Sequence, residues 1–174
     1  RSLVCSKRSG RIPQQPASAW CLVASSKIED HGWLKVRREL KKLEAHNVNV
    51  GILSDKGSQT VEGGATLAEV AAYNEFGTED IPERPAHRDT FDKTKAGFKK
   101  RLAGIVGLIV EGKISYETGL TRLGIWYVNE LKQAIINWSD PPNAPSTVRQ
   151  KGANNPLIDT GRTVNSIDFE IVKE

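Results

Sequence analysis

Two long segments with helical periodicity, residues 86–111 and residues 115–138, constrain the fold of this chain more than any other feature. In the first segment, apolar side chains recur at the spacing of one packed helix face: Phe91, Phe98, Leu102, Ile105 and Ile109. The second segment, for which Ser115 is a suitable N-cap, carries a wider apolar surface. It consists of Tyr116, Leu120, Leu123, Tyr127, Leu131, Ile135 and Trp138, flanked by Ile125, Val128 and Ile136. The second helix should therefore be central, and the two helices should pack as an antiparallel pair.

A further helix and two strands are predicted on either side of this pair. Residues 32–46 predict a helix that Asp30 caps, with a single apolar stripe of Trp33, Val36, Leu40 and Leu43. Residues 47–53 and residues 167–173 alternate apolar with polar side chains, which is typical of half-buried strands.

The element order predicts an α+β domain over residues 31–174, preceded by an irregular N-terminal arm over residues 1–30. We expect a small sheet packed against the long antiparallel helix pair. Because one chain supplies only two good strands, the edges of that sheet would need partners from neighbouring subunits.

Composition and charge restrict the class of protein. No apolar run approaches the roughly 20 residues of a membrane-spanning helix, so a soluble protein without a membrane partner is expected. The net charge of +4 is concentrated in residues 1–46, which hold ten Lys or Arg against four Asp or Glu. That excess favours nucleic acid or an acidic protein surface as a partner, and a solubilising charged tail explains it equally well. Cys5 and Cys21 without nearby histidines indicate reduced thiols rather than a metal site.

The residue patterns of known catalytic chemistries are missing from the sequence. His31, His46 and His87 lie on different predicted elements and form no metal-binding pair. No glycine-rich phosphate loop and no nucleophile with an adjacent base is present. We therefore predict no enzyme activity, no catalytic residue, no metal site and no cofactor.

The stretch from Leu67 to Arg88 reads as a short helix followed by a rigid strap. Thr66 is a suitable N-cap, and Gly77 stands where a left-handed residue would end the helix. Pro82 and Pro85 should then hold residues 81–85, here called the strap, in an extended conformation, because proline restricts both its own backbone and that of the residue before it. The stretch is interpreted either as a presented surface or as an ordinary connection between helices.

A second stretch of interest begins with a long polar loop over residues 140–155, which contains Pro141, Pro142 and Pro145. It continues through residues 156–162, where Asp159 or Thr160 is expected to cap one helical turn before the final strand.

Taken together and in this order, the two stretches resemble a known family. The first contains Ala72-Tyr73-Asn74-Glu75-Phe76-Gly77-Thr78, Ile81-Pro82-Glu83-Arg84-Pro85 and Arg88. The second contains Pro142-Asn143-Ala144-Pro145-Ser146-Thr147, Lys151-Gly152, Pro156-Leu157-Ile158-Asp159-Thr160-Gly161-Arg162 and Asn165-Ser166-Ile167. They are similar to the neck and tail-completion proteins of long-tailed bacteriophages, the group that includes the minor tail protein Z of lambda-like phages. The resemblance covers about residues 32–172.

The resemblance implies a structural virion protein at the junction of head and tail, assembled in the host cytoplasm. It implies a homo-oligomeric ring, with six subunits expected, between tail tube or terminator proteins and head connector or stopper proteins. It also implies roles for particular residues. Contacts with subunits or the connector fall to Tyr73, Glu75, Phe76, Gly77, Ile81, Arg84, Pro85, Arg88, Pro145 and Lys151, with Arg84 meeting an acid on a neighbour. The structural turn comprises Asp159, Thr160, Gly161 and Arg162, and basic residues facing a DNA channel are Lys93, Lys99, Lys100 and Arg101. The chain departs from the family pattern at Ala86-His87, where relatives often carry a bulky apolar residue.

Two other functions remain open at this point. The chain could be a nucleic-acid-binding module that uses the basic arm and the cluster Lys93–Arg101, although aromatic residues do not interleave these cations. It could also be a transient morphogenesis chaperone that leaves before the virion matures.

Overall fold

Seven helices and two strands form the part of the chain that the computed structural model describes, residues 32–61 and 63–174. In chain order they are α1 (Trp33–Glu44), β1 (His46–Ile52), α2 (Ser54–Gly57), α3 (Leu67–Phe76), α4 (Ala86–Val110), α5 (Tyr116–Ile136), α6 (Pro145–Lys151), α7 (Arg162–Ser166) and β2 (Ile167–Lys173). The fold is therefore α+β and mostly helical. The predicted arm over residues 1–30 lies outside the described residues.

The long helix pair predicted from the periodicity is confirmed as α4 and α5. The Ser115 hydroxyl accepts a hydrogen bond from the Thr118 amide at 3.2 Å, so the predicted N-cap of α5 is present. Gly119 of α5 faces Ile105 of α4, while Trp126 faces Gly97. Since later residues of α5 meet earlier residues of α4, the two helices run antiparallel.

Helix α5 supplies buried residues to both hydrophobic clusters of the described chain. Toward the sheet, Val128, Leu131 and Ile135 pack with residues of α4, α7 and β2. Toward α1, Leu123 packs with Ile105 and Ile109 of α4. Each fully buried aliphatic side chain contributes roughly 1.5–3 kcal/mol relative to exposure, so the largest apolar gain in the fold lies along this helix. Its predicted central position is confirmed.

The sheet consists of β1 and β2 in antiparallel register, with His46 opposite Lys173 and Ile52 opposite Ile167. Both predicted strands are confirmed. A two-stranded sheet alone is only marginally stable in water, and it needs packing against a helix to be stable. Here α5 supplies that packing, and Gly124 leaves room for the ring of Phe169.

Part of the predicted apolar surface is exposed. Phe91 is 56% exposed and Phe98 is 37% exposed, although Ile105 and Ile109 of the same seam are buried. Leu40 and Leu43 of α1 pack against the cluster of Ile105, Ile109 and Leu123, which does not include the two phenylalanines. On α5, Ile125 and Ile136 are exposed as well. The prediction that the flanking apolar row widens the buried face of α5 is therefore wrong for these two residues.

Several predicted loops and caps are also corrected. The loop over residues 140–155 contains α6, which starts at Pro145, and α2 follows β1 at a place where no helix was predicted. At the start of α1, the N-cap position is Gly32 rather than Asp30. Gly161 occupies the corresponding position of α7 with φ of 76°, so neither Asp159 nor Thr160 caps that helix.

Within the described residues, no helix is both long enough and apolar enough to cross a membrane.

Candidate interaction surfaces

The two stretches singled out in the sequence fold against each other. Arg84 is 5% exposed, and its guanidinium donates from Nε to the Pro141 carbonyl at 3.0 Å and from Nη2 to the Pro142 carbonyl at 3.1 Å. The Arg84 amide donates to the Asn74 carbonyl at 2.7 Å, which ties the strap to α3. Arg84 thus joins α3, the strap and the loop before α6. The expectation that it meets a neighbour's acid stays a prediction, and two of its donors, Nε and Nη2, are used inside the subunit.

The strap is held by a close turn after α3. Gly77 has φ of 73° and ψ of 169°, so it ends the helix as expected but not in the left-handed helical conformation. A Cβ at Gly77 would lie 3.1 Å from the Ile81 carbonyl oxygen and 3.0 Å from the Glu83 nitrogen, which explains the glycine. The Thr78 amide donates to the Ile81 carbonyl at 2.8 Å and closes the turn.

Glu75 is an internal cap rather than an exposed contact residue. It is 7% exposed, and its carboxylate accepts hydrogen bonds from the amides of His87 and Arg88, each at 3.0 Å. Since Pro85 offers no side-chain cap at the start of α4, Glu75 of α3 satisfies two of the unpaired N–H groups there. Arg88 completes the cluster by donating to the Glu75 and Glu83 carboxylates.

The strap and α6 form the walls of an open cleft of about 740 Å³, here called the strap cleft. Arg84 and Lys151 both line it, with Asp80 and Asp159 at other points of its wall. Burial lowers the pKa of the Arg84 guanidinium. Burial also lowers the pKa of Lys151, which Asp159 opposes and Arg84 reinforces. The strap cleft therefore holds two cations from the two different stretches.

A larger cleft of about 830 Å³, here called the edge cleft, lies between α1, β1, α4 and α5. Val48 and Val50 of β1 alternate with Asn47 and Asn49, so their side chains point to opposite faces of the strand. All four residues nevertheless line this cleft. It must therefore run along the edge of β1 that is turned away from β2.

The apolar wall of the edge cleft includes the exposed rings of the α4 seam, Phe91 and Phe98. Within the described chain, β1 pairs with β2 alone, so the backbone groups of its other edge have no partner strand there. The edge cleft thus combines free strand hydrogen-bonding groups with exposed aromatic surface. Sequence reasoning expected open sheet edges and did not predict the aromatic wall.

The remaining predicted contact residues are mostly at the surface. Tyr73 and Phe76 on α3 are exposed, and the Arg88 guanidinium lies 5.1 Å from the centre of the Phe76 ring. Pro145 is exposed at the first position of α6, whereas Ile81 and Pro85 are half-buried. In the predicted structural turn, Asp159 and Thr160 are exposed, and Arg162 donates to the Thr60 carbonyl at 3.2 Å.

The basic residues predicted to face DNA differ in their contacts. Lys93 forms an ion pair with Asp89 at 3.1 Å, and the Arg101 guanidinium stacks 4.6 Å from the centre of the Trp126 ring. Lys99 and Lys100 are exposed and form no ion pair with any described residue. Consecutive positions on a helix point in directions roughly 100° apart, so these two lysines spread over the outer surface of α4.

The described residues define a mostly helical α+β protein whose two candidate surfaces are open clefts. They contain no group of three or more His, Cys, Asp or Glu side chains arranged to hold a metal ion. No family model matches the chain, and no curated protein or solved structure matches it either.

Proposed function

We propose that this protein is a non-catalytic structural subunit of the bacteriophage virion, which forms a homo-oligomeric ring at the head–tail junction. The observation that carries the proposal is the edge cleft, where an edge of β1 that has no partner strand among the described residues lies beside exposed aromatic rings. In this proposal a neighbouring subunit fills the edge cleft and extends the sheet. Tail tube or terminator proteins and head connector or stopper proteins would then contact the ring on either side.

The physical argument concerns what a single subunit leaves uncovered. Exposed strand edges associate with other strands, and proteins usually cover or charge them. The edge of β1 is flanked by Phe91 and Phe98, and burying the exposed part of one such ring contributes about 1 kcal/mol, since each is already partly covered. A ring closes when each subunit offers one surface and accepts a different one. Contact with a neighbouring subunit would therefore be favourable, because it covers the strand edge and the two rings.

The sequence resemblance supplies the location. The two stretches similar to tail-completion proteins are separated by two long helices, yet Arg84 and the carbonyls of Pro141 and Pro142 connect them in one place. Such a continuous surface is suited to contact with the next protein of the particle. Exposed Lys99 and Lys100 would contribute non-specific contact with DNA if α4 faces the channel.

Assembly of the purified full chain tests the proposal. Native mass spectrometry and negative-stain imaging should reveal a ring of the wild type, whereas a variant with Phe91→Ser and Phe98→Ser should remain monomeric. The matched control carries Val110→Ser and Ile125→Ser, which remove equally exposed apolar side chains outside the edge cleft, and it should still form rings. A wild type that stays monomeric at all concentrations, or equal loss of assembly in both variants, would contradict the proposal.

The location needs a separate measurement. Mass spectrometry of purified particles should find this chain in stoichiometric amounts, since a transient chaperone would be missing. Particles that lack it should carry no firmly attached tails.

A further inference from the structure

Two cations in the strap cleft, Arg84 and Lys151, form no ion pair with a carboxylate of the described residues. Arg84 is 5% exposed, and its guanidinium donates to the carbonyl oxygens of Pro141 and Pro142. The Lys151 ammonium donates to the Asn155 carbonyl at 2.6 Å. Among the described residues, no Asp or Glu forms an ion pair with either of them.

This arrangement is unusual on energetic grounds. Buried arginine and lysine side chains are normally paired with an acid, because removing a charge from water is costly. Carbonyl oxygens offer hydrogen bonds without cancelling the positive charge. Burial lowers the pKa of Lys151, Asp159 opposes this shift, and Arg84 lowers the pKa further because the two cations share one cleft.

Both cations keep donors available for a ligand. The third guanidinium nitrogen of Arg84, Nη1, makes no hydrogen bond to any described residue. A lysine ammonium has three donors, and Lys151 uses one of them for the Asn155 carbonyl. Arg84 comes from the strap and Lys151 from α6, and both residues line the space of about 740 Å³.

The acids of the strap cleft lie where water screens them. Asp80 and Asp159 line the cleft but are exposed, whereas Arg84 is buried and Lys151 is half-buried. Charges at an exposed rim are weakened by water and salt much more than charges at depth. The deep part of the strap cleft is therefore positive, although its four charged side chains sum to zero.

We propose that the strap cleft binds the carboxylate of an acidic side chain carried by an adjoining protein, held between Arg84 and Lys151. The identification of that protein as a neighbour in the particle depends on the proposed function, whereas the carboxylate chemistry does not. A carboxylate fits better than a larger dianion, because Asp80 and Asp159 at the rim repel additional negative charge.

A titration of the isotope-labelled full chain tests this proposal directly. N-acetylglutamate methylamide is added at constant ionic strength, and NMR follows the Nε–H signal of Arg84 together with the amides of the strap and α6. The shifts should saturate, and the uncharged N-acetylglutamine methylamide should bind at least about tenfold more weakly, as expected when one charge-assisted hydrogen bond is lost. Inorganic phosphate should bind no more tightly than the glutamate probe.

A pair of variants on one helix locates the site. Lys151→Gln should weaken binding of the glutamate probe by about tenfold. Its control, Arg149→Gln, removes an exposed cation of α6 outside the strap cleft and should change binding by less than about twofold. Equal loss in both variants, an equal response to the glutamine probe, tighter binding of phosphate, or no saturation would overturn the proposal.

The titration tests the carboxylate site and the assembly assay tests the ring, so the two proposals can be refuted separately. A chain that forms rings but ignores the glutamate probe refutes the carboxylate site and leaves the ring intact. A chain that binds the probe at the strap cleft but never assembles refutes the ring and leaves the site.

Discussion

Replacement of Glu75 by glutamine should destabilise the fold far more than loss of one surface charge. The carboxylate accepts the amides of His87 and Arg88 at the start of α4, and it also accepts from Arg88 Nε at 3.2 Å. Glutamine retains one acceptor oxygen and turns an NH₂ group toward N–H donors. One charge-assisted hydrogen bond is worth about 1.5–3 kcal/mol, and a helix cap about 1 kcal/mol.

The expected cost of Glu75→Gln is therefore about 2–3 kcal/mol. Glu83→Gln is the matched control, because it removes the same charge and the other acid that Arg88 contacts. Glu83 is about half exposed, so its ion pair should contribute less than about 1 kcal/mol.

Urea unfolding followed by far-ultraviolet circular dichroism measures both variants at one protein concentration. Hydrogen exchange supplies a second readout, since the amides of His87 and Arg88 should exchange faster in Glu75→Gln alone. If Glu75→Gln unfolds within about 0.5 kcal/mol of the wild type, or costs no more than Glu83→Gln, Glu75 does not cap α4 as argued.

Two further predictions concern packing and pH. Gly124→Ala should lower the free energy of unfolding by about 1–3 kcal/mol, because its Cβ would overlap the Phe169 ring. Gly104→Ala is the control: its Cβ meets nothing within 4 Å, so helix propensity should raise the free energy of unfolding by up to about 1 kcal/mol. Changes of the same sign for both variants in urea unfolding would count against this packing. Burial lowers the pKa of His87 below its ordinary 6.5, with Glu75 opposing, so the unfolded chain takes up this proton first as the pH falls. The free energy of unfolding should therefore decrease below pH 6.5. His87→Gln should show a smaller decrease when unfolding is compared near pH 7.5 and near pH 5.5, and an unchanged pH profile in this variant would show that His87 does not titrate in this way.

The sequence by itself determined the features that depend on near neighbours. Periodicity placed α4 and α5, alternation placed β1 and β2, and the caps at Thr66 and Ser115 were predicted because their partners lie three residues away. The short helices α2 and α6 were missed, since segments of four and seven residues are too short for a periodic pattern.

Only the tertiary structure decided which predicted side chains turn inward. Glu75 and Arg84 were expected at contacts with other subunits, and both are buried because their acceptors and donors come from distant parts of the chain. The carbonyls that hold Arg84 lie 57 and 58 residues further on. In the same way, periodicity indicated the apolar face of α4 but not that α1 would leave Phe91 and Phe98 uncovered. A local pattern records the preference of a residue for burial, and the packing of distant elements determines whether that preference is met.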